Sequence, residues 1–230
     1  MNKAIFWDFH GTLAYSDGSL WTSSMFDILE SSGYGVERDV VKAHMRKGYI
    51  WQNPEKEYPM RTGKLWWNDL LVHMNELYSA HGIPETLHAS INEAFRARVL
   101  DSGKQLLYPD TMSALQQSRE LGFKNILLSN NYPELTATVE DLGLTSFFDG
   151  QIVSAQVGYE KPNPRIFELA LGMTENPDIC FMVGDNPVAD MEGGKAAGMK
   201  TILVHSEADA PHADYVCSEL REIIPILMQS

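Results

Sequence analysis

Cysteine is scarce in this chain of 230 residues, which contains only Cys180 and Cys217. The two lie far apart in the sequence and do not have the spacing of a metal-binding pair. This excludes a small secreted fold held together by disulfides and a zinc module built on cysteines. We expect both residues to be free thiols in a reducing compartment.

Positive charge is also in short supply, because 18 Lys and Arg residues face 31 Asp and Glu residues, for a net charge of −13. Nucleic acids and anionic membrane surfaces are both bound through basic patches. So acidic a chain therefore argues against either as a partner, and we expect no nucleic acid and no membrane.

Long hydrophobic runs are missing as well. No apolar run approaches the ~20 residues of a membrane-spanning helix. The first apolar run, Ala4–Trp7, ends at Asp8 and is too short for a signal peptide. We therefore expect a cytoplasmic protein.

The same short apolar run leads into the first group of residues that points to a function. Ala4–Trp7 is rich in β-branched and aromatic residues, which indicates a strand buried on both faces. The run stops at Asp8, and Gly11 and Thr12 then turn the chain. An acid at the carboxyl end of a buried strand lies where open α/β sheets place their ligands. A strand that merely ends on a turn-forming Asp is the plainer alternative.

Two different patterns of predicted secondary structure follow. Between residues 16 and about 104 the pattern predicts four helices and no clear strand, which is a compact helical insertion. From Leu106 onward, apolar strands alternate with single helices. This alternation predicts an α/β fold with a parallel sheet and right-handed crossovers.

The helical insertion holds basic and acidic residues in nearly equal number, whereas the rest of the chain is strongly acidic. Positive charge for an anionic substrate can therefore come from the insertion, with Arg46 as one candidate. Tyr49 and Trp51 lie in or beside an irregular stretch and are candidates for lining a substrate pocket. We expect Trp66 or Trp67 to pack in the core of the insertion itself.

Three more strand ends carry polar groups. One strand runs into Ser129, Asn130 and Asn131, and another runs into Gly184-Asp185, with Asp190 shortly after. Lys161 precedes a helix that begins with a proline. Because the carboxyl ends of parallel strands share one edge of the sheet, Asp8, Ser129 and Asp185 can converge.

In this order and at these elements, the motifs resemble those of the haloacid dehalogenase superfamily, whose largest branch consists of Mg²⁺-dependent phosphatases. The resemblance covers the whole chain and implies a Rossmann-like three-layer core with a parallel sheet, formed by residues 1–15 and 105–230. It implies an inserted all-helical cap domain at residues 16–104. The motifs are the Asp8-Phe-His-Gly-Thr-Leu13 run, Ser129, Lys161 and the segment from Gly184-Asp185 to Asp190.

The resemblance also implies roles at the reacting centre. Asp8 would be the nucleophile and form an aspartyl-phosphate, which splits one difficult step into two. Mg²⁺ would be held by the Asp8 carboxylate, the backbone carbonyl of His10 and Asp185, because this ion prefers oxygen ligands. Asp190 would lie in the outer coordination sphere or merely hold its loop.

The phosphoryl oxygens would be held by Lys161 and the Ser129 hydroxyl, which together with Asp8 and His10 are the expected catalytic residues. Backbone N–H groups near Gly11 and Asn130 would assist them. Thr12, in the same turn as Gly11, completes the expected substrate-binding set.

His10 departs from the family pattern, in which most phosphatases have Asp as the general acid and base. Imidazole titrates near ~6.5 and can exchange a proton around neutral pH. We therefore expect a catalytic role, with the loss of His10 most harmful for poor leaving groups. In the alternative, His10 packs in the turn and lends only its carbonyl.

These residues favour a Mg²⁺-dependent phosphatase acting on a small phosphorylated metabolite. A dehalogenase-type or phosphonate-cleaving hydrolase is the second hypothesis, invited by His10. A non-catalytic binding protein on the same fold is the third. The sequence carries no signal for an oligomeric state.

Overall fold

A computed structural model of the chain describes residues 2–16, 20–48, 53, 55–206 and 210–230. Tyr49 and Trp51, two candidates for the substrate pocket, lie outside these residues. The strands of the described part are β1 (Lys3–Trp7), β2 (Ala14–Ser16), β3 (Gln105–Leu107), β4 (Lys124–Ser129), β5 (Gly150–Val153), β6 (Ile179–Gly184), β7 (Lys200–Val204) and β8 (Tyr215–Cys217).

Six of these strands form one parallel sheet in the order β5-β4-β1-β6-β7-β8. β1 lies between β4 and β6, and all its residues from Ala4 to Trp7 are fully buried. The prediction of a strand buried on both faces is therefore confirmed. This central position carries Asp8 into the middle of one sheet edge.

Helices follow the strands along the chain. They are α1 (Leu20–Ser31), α2 (Arg38–Gly48), α3 (Lys64–Ala80), α4 (Glu85–Val99), α5 (Thr111–Glu120), α6 (Leu135–Asp141), α7 (Ser154–Val157), α8 (Pro164–Met173), α9 (Gly193–Ala196) and α10 (Ile223–Met228). A π-helical turn at Pro187–Glu192 precedes α9, whereas the sequence pattern predicts one continuous helix from Val188 to Ala197. No helix in the described ranges has both the length and the apolar character to cross a bilayer.

Two apolar clusters cover opposite faces of the sheet. Ile5 and Trp7 of β1 belong to a cluster that includes residues of α5, α6 and α10. Ala4 and Phe6 belong to a second cluster that includes residues of α8. Because successive side chains of a strand point to opposite faces, this division gives the predicted α/β fold with three layers.

A strand pair that the sequence did not predict lies where the chain leaves and re-enters the sheet region. β2 ends at Ser16 and pairs antiparallel with β3, which begins at Gln105. Each strand has three residues, too few for the alternation of apolar and polar residues to be recognised. The four helices α1–α4 lie between these strands in sequence, so the division at residues 15/16 and 104/105 stays our proposal.

The helices α1–α4 pack on one another and also contact the sheet region. Trp66 and Trp67 of α3 are each only 1% exposed, but the apolar cluster that holds them also includes residues of the sheet, so it is not a core of the inserted helices alone. The Trp67 indole N–H donates to the carboxylate of Glu134 at 2.8 Å, and Arg96 of α4 pairs with the same carboxylate. Glu134, just before α6, thus ties two of the inserted helices to the region that follows β4.

A pair of histidines joins α2 to α3. The rings of His44 and His73 stack with centroids 4.0 Å apart and planes 9° from parallel. Nε2 of each ring lies 2.8 or 2.9 Å from the backbone carbonyl oxygen of the other residue. Since a carbonyl only accepts, both rings donate from Nε2–H. The pair therefore fixes α2 against α3 through two reciprocal hydrogen bonds.

We expect this pair to make the fold sensitive to acid. Burial lowers the pKa of His44, and the charges of His73 and Lys47 lower it further. The hydrogen bond to the His73 carbonyl and the charge of Glu76 raise the pKa but do not outweigh this effect. The unfolded chain then binds more protons below about pH 6.5, so the free energy of unfolding falls as the pH falls through that value. Urea unfolding from pH 8 to pH 5 should show a shallower decline for His44→Gln, which keeps an N–H donor.

The control for this experiment is His81→Gln, because the His81 side chain is exposed at the end of α3. A decline as steep in His44→Gln as in the wild type and the control would contradict the assignment.

Candidate active site

The polar residues that follow β1, β4 and β6 meet at one edge of the sheet. β1 pairs with both of the other strands, so Asp8, Ser129 and Asp185 leave adjacent strands at their carboxyl ends. Lys161, in the loop between α7 and α8, reaches the same place. The predicted convergence of these residues is found in the structure.

The Lys161 ammonium group lies at the centre of the cluster and is 1% exposed. It donates to the Asp8 carboxylate at 2.9 Å, to the Asp190 carboxylate at 2.5 Å and to the Leu128 carbonyl at 2.7 Å. Burial alone would lower the pKa of Lys161, but the charges of Asp190 and Asp8 outweigh it and raise the pKa. Lys161 is therefore held as a cation with all three N–H bonds in use.

Negative charge exceeds positive charge at this point. One carboxylate oxygen each from Asp8, Asp185 and Asp190 lie within 4.8 Å of one another. Burial, followed by the charge of Asp8, raises the pKa of Asp185 to about 7. Burial also raises the pKa of Asp190 to about 6, although Lys161 opposes this. Three carboxylates with one ammonium group and only oxygen donors fit a hard divalent cation.

The acids differ in their access to the exterior. The Asp8 side chain is 12% exposed, whereas the side chains of Lys161 and Asp190 are each 1% exposed. Asp185 is partly exposed, and Asp190 also accepts a hydrogen bond from the Asn186 backbone at 3.0 Å. Asp8 and Asp185 can therefore contact an incoming molecule, while Asp190 supports them from behind.

Gly11 lets the loop after Asp8 approach Asp185. Its φ is +85°, and a Cβ there would lie 2.3 Å from an Asp185 carboxylate oxygen, so no other residue fits without displacing that acid. The Gly11 N–H donates to the Ala14 carbonyl at 2.7 Å. The Thr12 side chain is fully buried, and its hydroxyl finds no partner among the described residues. The Gly11 N–H is therefore already bonded and the Thr12 hydroxyl is buried, so neither group is available to a substrate in this arrangement.

The Asn130 side chain bonds to the backbone of Lys161. Its side-chain N–H donates to the Lys161 carbonyl at 2.8 Å, and its side-chain oxygen accepts from the Lys161 N–H at 2.7 Å. These two hydrogen bonds hold the loop that carries Lys161 against the end of β4. The Ser129 hydroxyl, in a residue 1% exposed, lies beside it and is 3.4 Å from the side-chain nitrogen of Asn131.

His10 is held from two sides. Its Nδ1 lies 2.8 Å from the side-chain nitrogen of Asn131, which can only donate, so Nδ1 accepts. Its Nε2 lies 2.9 Å from the side-chain oxygen of Gln105 and therefore carries the proton. Burial lowers the pKa of His10 despite the opposing effects of Gln105 and Asp8. A neutral imidazole with this tautomer can position the loop, but it has no acidic proton for a leaving group.

These contacts favour the alternative in which His10 acts by packing in its turn, and its catalytic role stays a prediction. Gln105 and Asn131 were not predicted as site residues. Asn131 could have been found as the third member of the polar group after β4. Gln105 carries no signal in the sequence, because it reaches the site only through the pairing of β3 with β2.

A second cluster of possible metal ligands, formed by His44, His73 and Glu76, lies between α2 and α3. The lone pair of an imidazole nitrogen lies in the plane of its ring. The two rings are stacked 4.0 Å apart and almost parallel, so their lone pairs cannot meet at one ion. This cluster is a packing contact in the present arrangement.

A cleft of about 430 Å³ opens beside the catalytic edge. His10, Gly11 and Asn130 line it from the sheet, and Trp21 of α1 lines it from the inserted helices. Arg46, the predicted cationic candidate, lines the same cleft from α2. This volume is typical of small-molecule sites.

Comparison with known proteins agrees with this geometry. The model of the haloacid dehalogenase-like hydrolases matches residues 2–198. The chain belongs to this family. Among curated proteins, phosphoserine phosphatase of Thermus thermophilus is 32% identical over 158 residues, which cover 66% of this chain and 62% of that protein. The chain thus aligns with less than two thirds of that relative's length.

Solved structures of the hydrolase family share its fold. The magnesium-bound hydrolase YfnB of Bacillus subtilis has a TM-score of 0.76 at 18% identity, with 99% of both chains covered. The L-2-haloacid dehalogenase of Xanthobacter autotrophicus has a TM-score of 0.66 at 20% identity, also over 99% of both chains. This fold is therefore common to a magnesium-bound hydrolase and a haloacid dehalogenase, and it does not by itself select a reaction.

The buried charge cluster leads to a stability prediction for this hydrolase. Lys161→Met leaves buried carboxylates without their cation, which should lower the free energy of unfolding by about 3 kcal/mol at pH 8. The loss should shrink at pH 5, because Asp185 and Asp190, with pKa values raised to about 7 and 6, take up protons there. Urea unfolding at both pH values measures this.

Lys195→Met is the matched control, since Lys195 forms a largely exposed pair with Asp214 and should contribute less than about 1 kcal/mol. Equal losses for the two variants, or a Lys161→Met loss independent of pH, would contradict the assignment.

Proposed function

We propose that this protein is a Mg²⁺-dependent phosphatase that hydrolyses a small organic phosphomonoester through an aspartyl-phosphate on Asp8. The observation that supports it most is the accessible Asp8 carboxylate beside a buried Lys161 and two further acids. The relative named phosphoserine phosphatase supports the same class of reaction. Phosphoryl transfer depends mainly on positioning and charge neutralisation, which this cluster can supply.

The donor set suits Mg²⁺, which would be held by Asp8, Asp185 and the backbone carbonyl of His10, with Asp190 in the outer coordination sphere. When bound, the ion would neutralise charge between the carboxylates and the phosphoryl group. The excess of carboxylates over ammonium groups supports this proposal. Burial raises the pKa of Asp185 and Asp190, and the charge of Asp8 raises both further, so a bound cation would offset both effects.

The nucleophile is the Asp8 oxygen that is not bonded to Lys161. Lys161 holds Oδ1 of Asp8 at 2.9 Å and thereby orients the carboxylate, leaving the other oxygen free to attack phosphorus. The alcohol oxygen leaves as the new bond to Asp8 forms. Water then attacks the phosphorus of the acyl phosphate, which releases inorganic phosphate and restores the carboxylate.

Phosphoryl oxygens would be held by Lys161 and by the Ser129 hydroxyl. The Lys161 ammonium group uses all of its N–H bonds on protein acceptors in this structure, so a phosphoryl oxygen would replace one carboxylate partner. The Asn130 side chain is already bonded to the Lys161 backbone. Further hydrogen bonds to the phosphoryl oxygens would therefore come from backbone N–H groups near Asn130. Each donor stabilises negative charge in the transition state.

For His10 we propose a positioning role. Its ring joins Gln105, at the start of β3, to Asn131, after β4, and so fixes the loop that carries its backbone carbonyl. The leaving alcohol would take its proton from water. A Mg²⁺-independent dehalogenase is the second candidate for the function, and His10 is the observation that favours it.

Asp8→Asn tests the proposed function most directly. Because an amide cannot attack phosphorus as a carboxylate does, phosphate release from a panel of metabolite phosphomonoesters should fall by at least about a thousandfold. The wild type should lose activity in EDTA and regain it with Mg²⁺. The exposed Asp141→Asn is the control and should keep full activity.

Full activity in Asp8→Asn would exclude the nucleophile assignment. Halide release from haloacids that persists in EDTA would favour the dehalogenase instead. No product from any substrate of either class would favour a binding protein.

His10→Ala separates proton transfer from positioning. We expect a loss of kcat of similar size for aryl and alkyl phosphates, because a misplaced loop affects both. The two substrate types differ in how much protonation their leaving groups need. His10→Asp provides the comparison, since it restores the residue that most phosphatases of the family have.

A loss much larger for alkyl than for aryl phosphates in His10→Ala would contradict positioning and support the original expectation of acid catalysis.

A further inference from the structure

Lys42 and Arg46 form a cationic pair on one face of α2. They are four residues apart, so their side chains lie next to each other on the helix. Both side chains are exposed, and both line the cleft that His10, Gly11 and Asn130 line from the catalytic edge. The cleft therefore combines basic groups from α2 with residues that follow β1 and β4.

Neither cation pairs with an acid among the described residues. In the ranges that the structure covers, Lys42 and Arg46 take part in no ion pair, although acidic residues outnumber basic ones across the chain. Several other basic side chains, such as Arg61 and Arg96, do pair with a carboxylate. Two adjacent cations in one cleft of an acidic protein, without a carboxylate partner in the described ranges, can attract an anion.

Helix stabilisation is the plain alternative for Arg46, because cations in the last turn of a helix interact favourably with its dipole. This explanation applies equally to Lys47, which lies in the same last turn but does not line the cleft. It does not apply to Lys42, which lies one turn earlier. Lys47 therefore provides a matched comparison.

We propose that Lys42 and Arg46 bind a second anionic group of the substrate, so that the preferred substrate is a phosphomonoester that also carries a carboxylate or a second phosphate. This inference rests on the proposed function, since the first phosphoryl group is taken to lie at Asp8. Trp21 and Leu20 also line this cleft, and their apolar surface suits a short carbon chain. The two cations act as specificity-determining residues and take no part in bond cleavage.

The test uses ω-carboxyalkyl phosphates of increasing length, each compared with the alkyl phosphate of equal length. Alkylene bisphosphates of the same lengths form a second arm, which distinguishes a carboxylate from a phosphate as the second anion. We expect kcat/KM to be about tenfold to a hundredfold higher with the second anion, as for hydrogen bonds to charged groups. One chain length should give the largest preference.

Arg46→Gln and Lys42→Gln should each remove most of that preference through a higher KM for the compounds that carry the second anion. Lys47→Gln should keep it. Since all three side chains are exposed, far-UV circular dichroism should show that the variants fold. The proposal would be overturned if the wild type had equal kcat/KM for the alkyl phosphates with and without the second anion. Equal effects of Arg46→Gln and Lys47→Gln would also overturn it.

Binding is also measured without turnover, so that the inference can fail separately from the proposed function. Calorimetry with the Asp8→Asn protein should show tighter binding of the carboxyalkyl phosphate than of the alkyl phosphate, and Arg46→Gln should abolish the difference. If no compound releases phosphate but this difference is found, the subsite stands and the reaction is wrong. If phosphate is released but binding shows no difference, the reaction stands and the subsite is wrong.

Discussion

An imbalance of buried charge governs this molecule: three carboxylates meet at one edge of the sheet with a single ammonium group between them. Lys161 bonds directly to Asp8 and Asp190, whereas Asp185 pairs with no cation in the part of the chain that the structure describes. Burial makes such charges costly, and the carboxyl pKa values rise in response. The arrangement persists because β1, β4 and β6 are rigid neighbours, so the backbone holds these groups together against their repulsion.

A second constraint connects this edge to the inserted helices. His10 lies two residues after Asp8 and bonds to Gln105, the residue with which the chain returns from α4 to the sheet region. Asn131 holds the other side of the imidazole and belongs to the loop after β4. One neutral ring thus joins three segments that are distant in sequence. This explains how His10 can be important without exchanging a proton.

The sequence predicted what depends on local pattern. β1, the strand ends at Ser129 and Asp185, and the α/β class follow from apolar runs that stop at polar residues. The pairing of β2 with β3, the contact of Gln105 with His10 and the break before α9 could not be predicted. They depend on tertiary contacts between short segments whose periodicity is too brief to read. Lys42 was likewise missed, because its place on α2 becomes meaningful only when the helix is set beside the cleft.

The overall negative charge of the protein opposes the approach of an anionic substrate. A net charge of −13 repels phosphomonoesters at long range, although salt screens this beyond a distance of ~10 Å. Inside the cleft the local charge matters more, since the low-dielectric walls strengthen nearby interactions. There the Lys42 and Arg46 side chains have no competing carboxylate among the described residues, whereas the cations elsewhere that pair with acids are neutralised. A substrate whose second anionic group reaches Lys42 and Arg46 would gain from their charge, whereas a neutral group of equal size would not. Selection by charge number is therefore the form of specificity that this surface can provide.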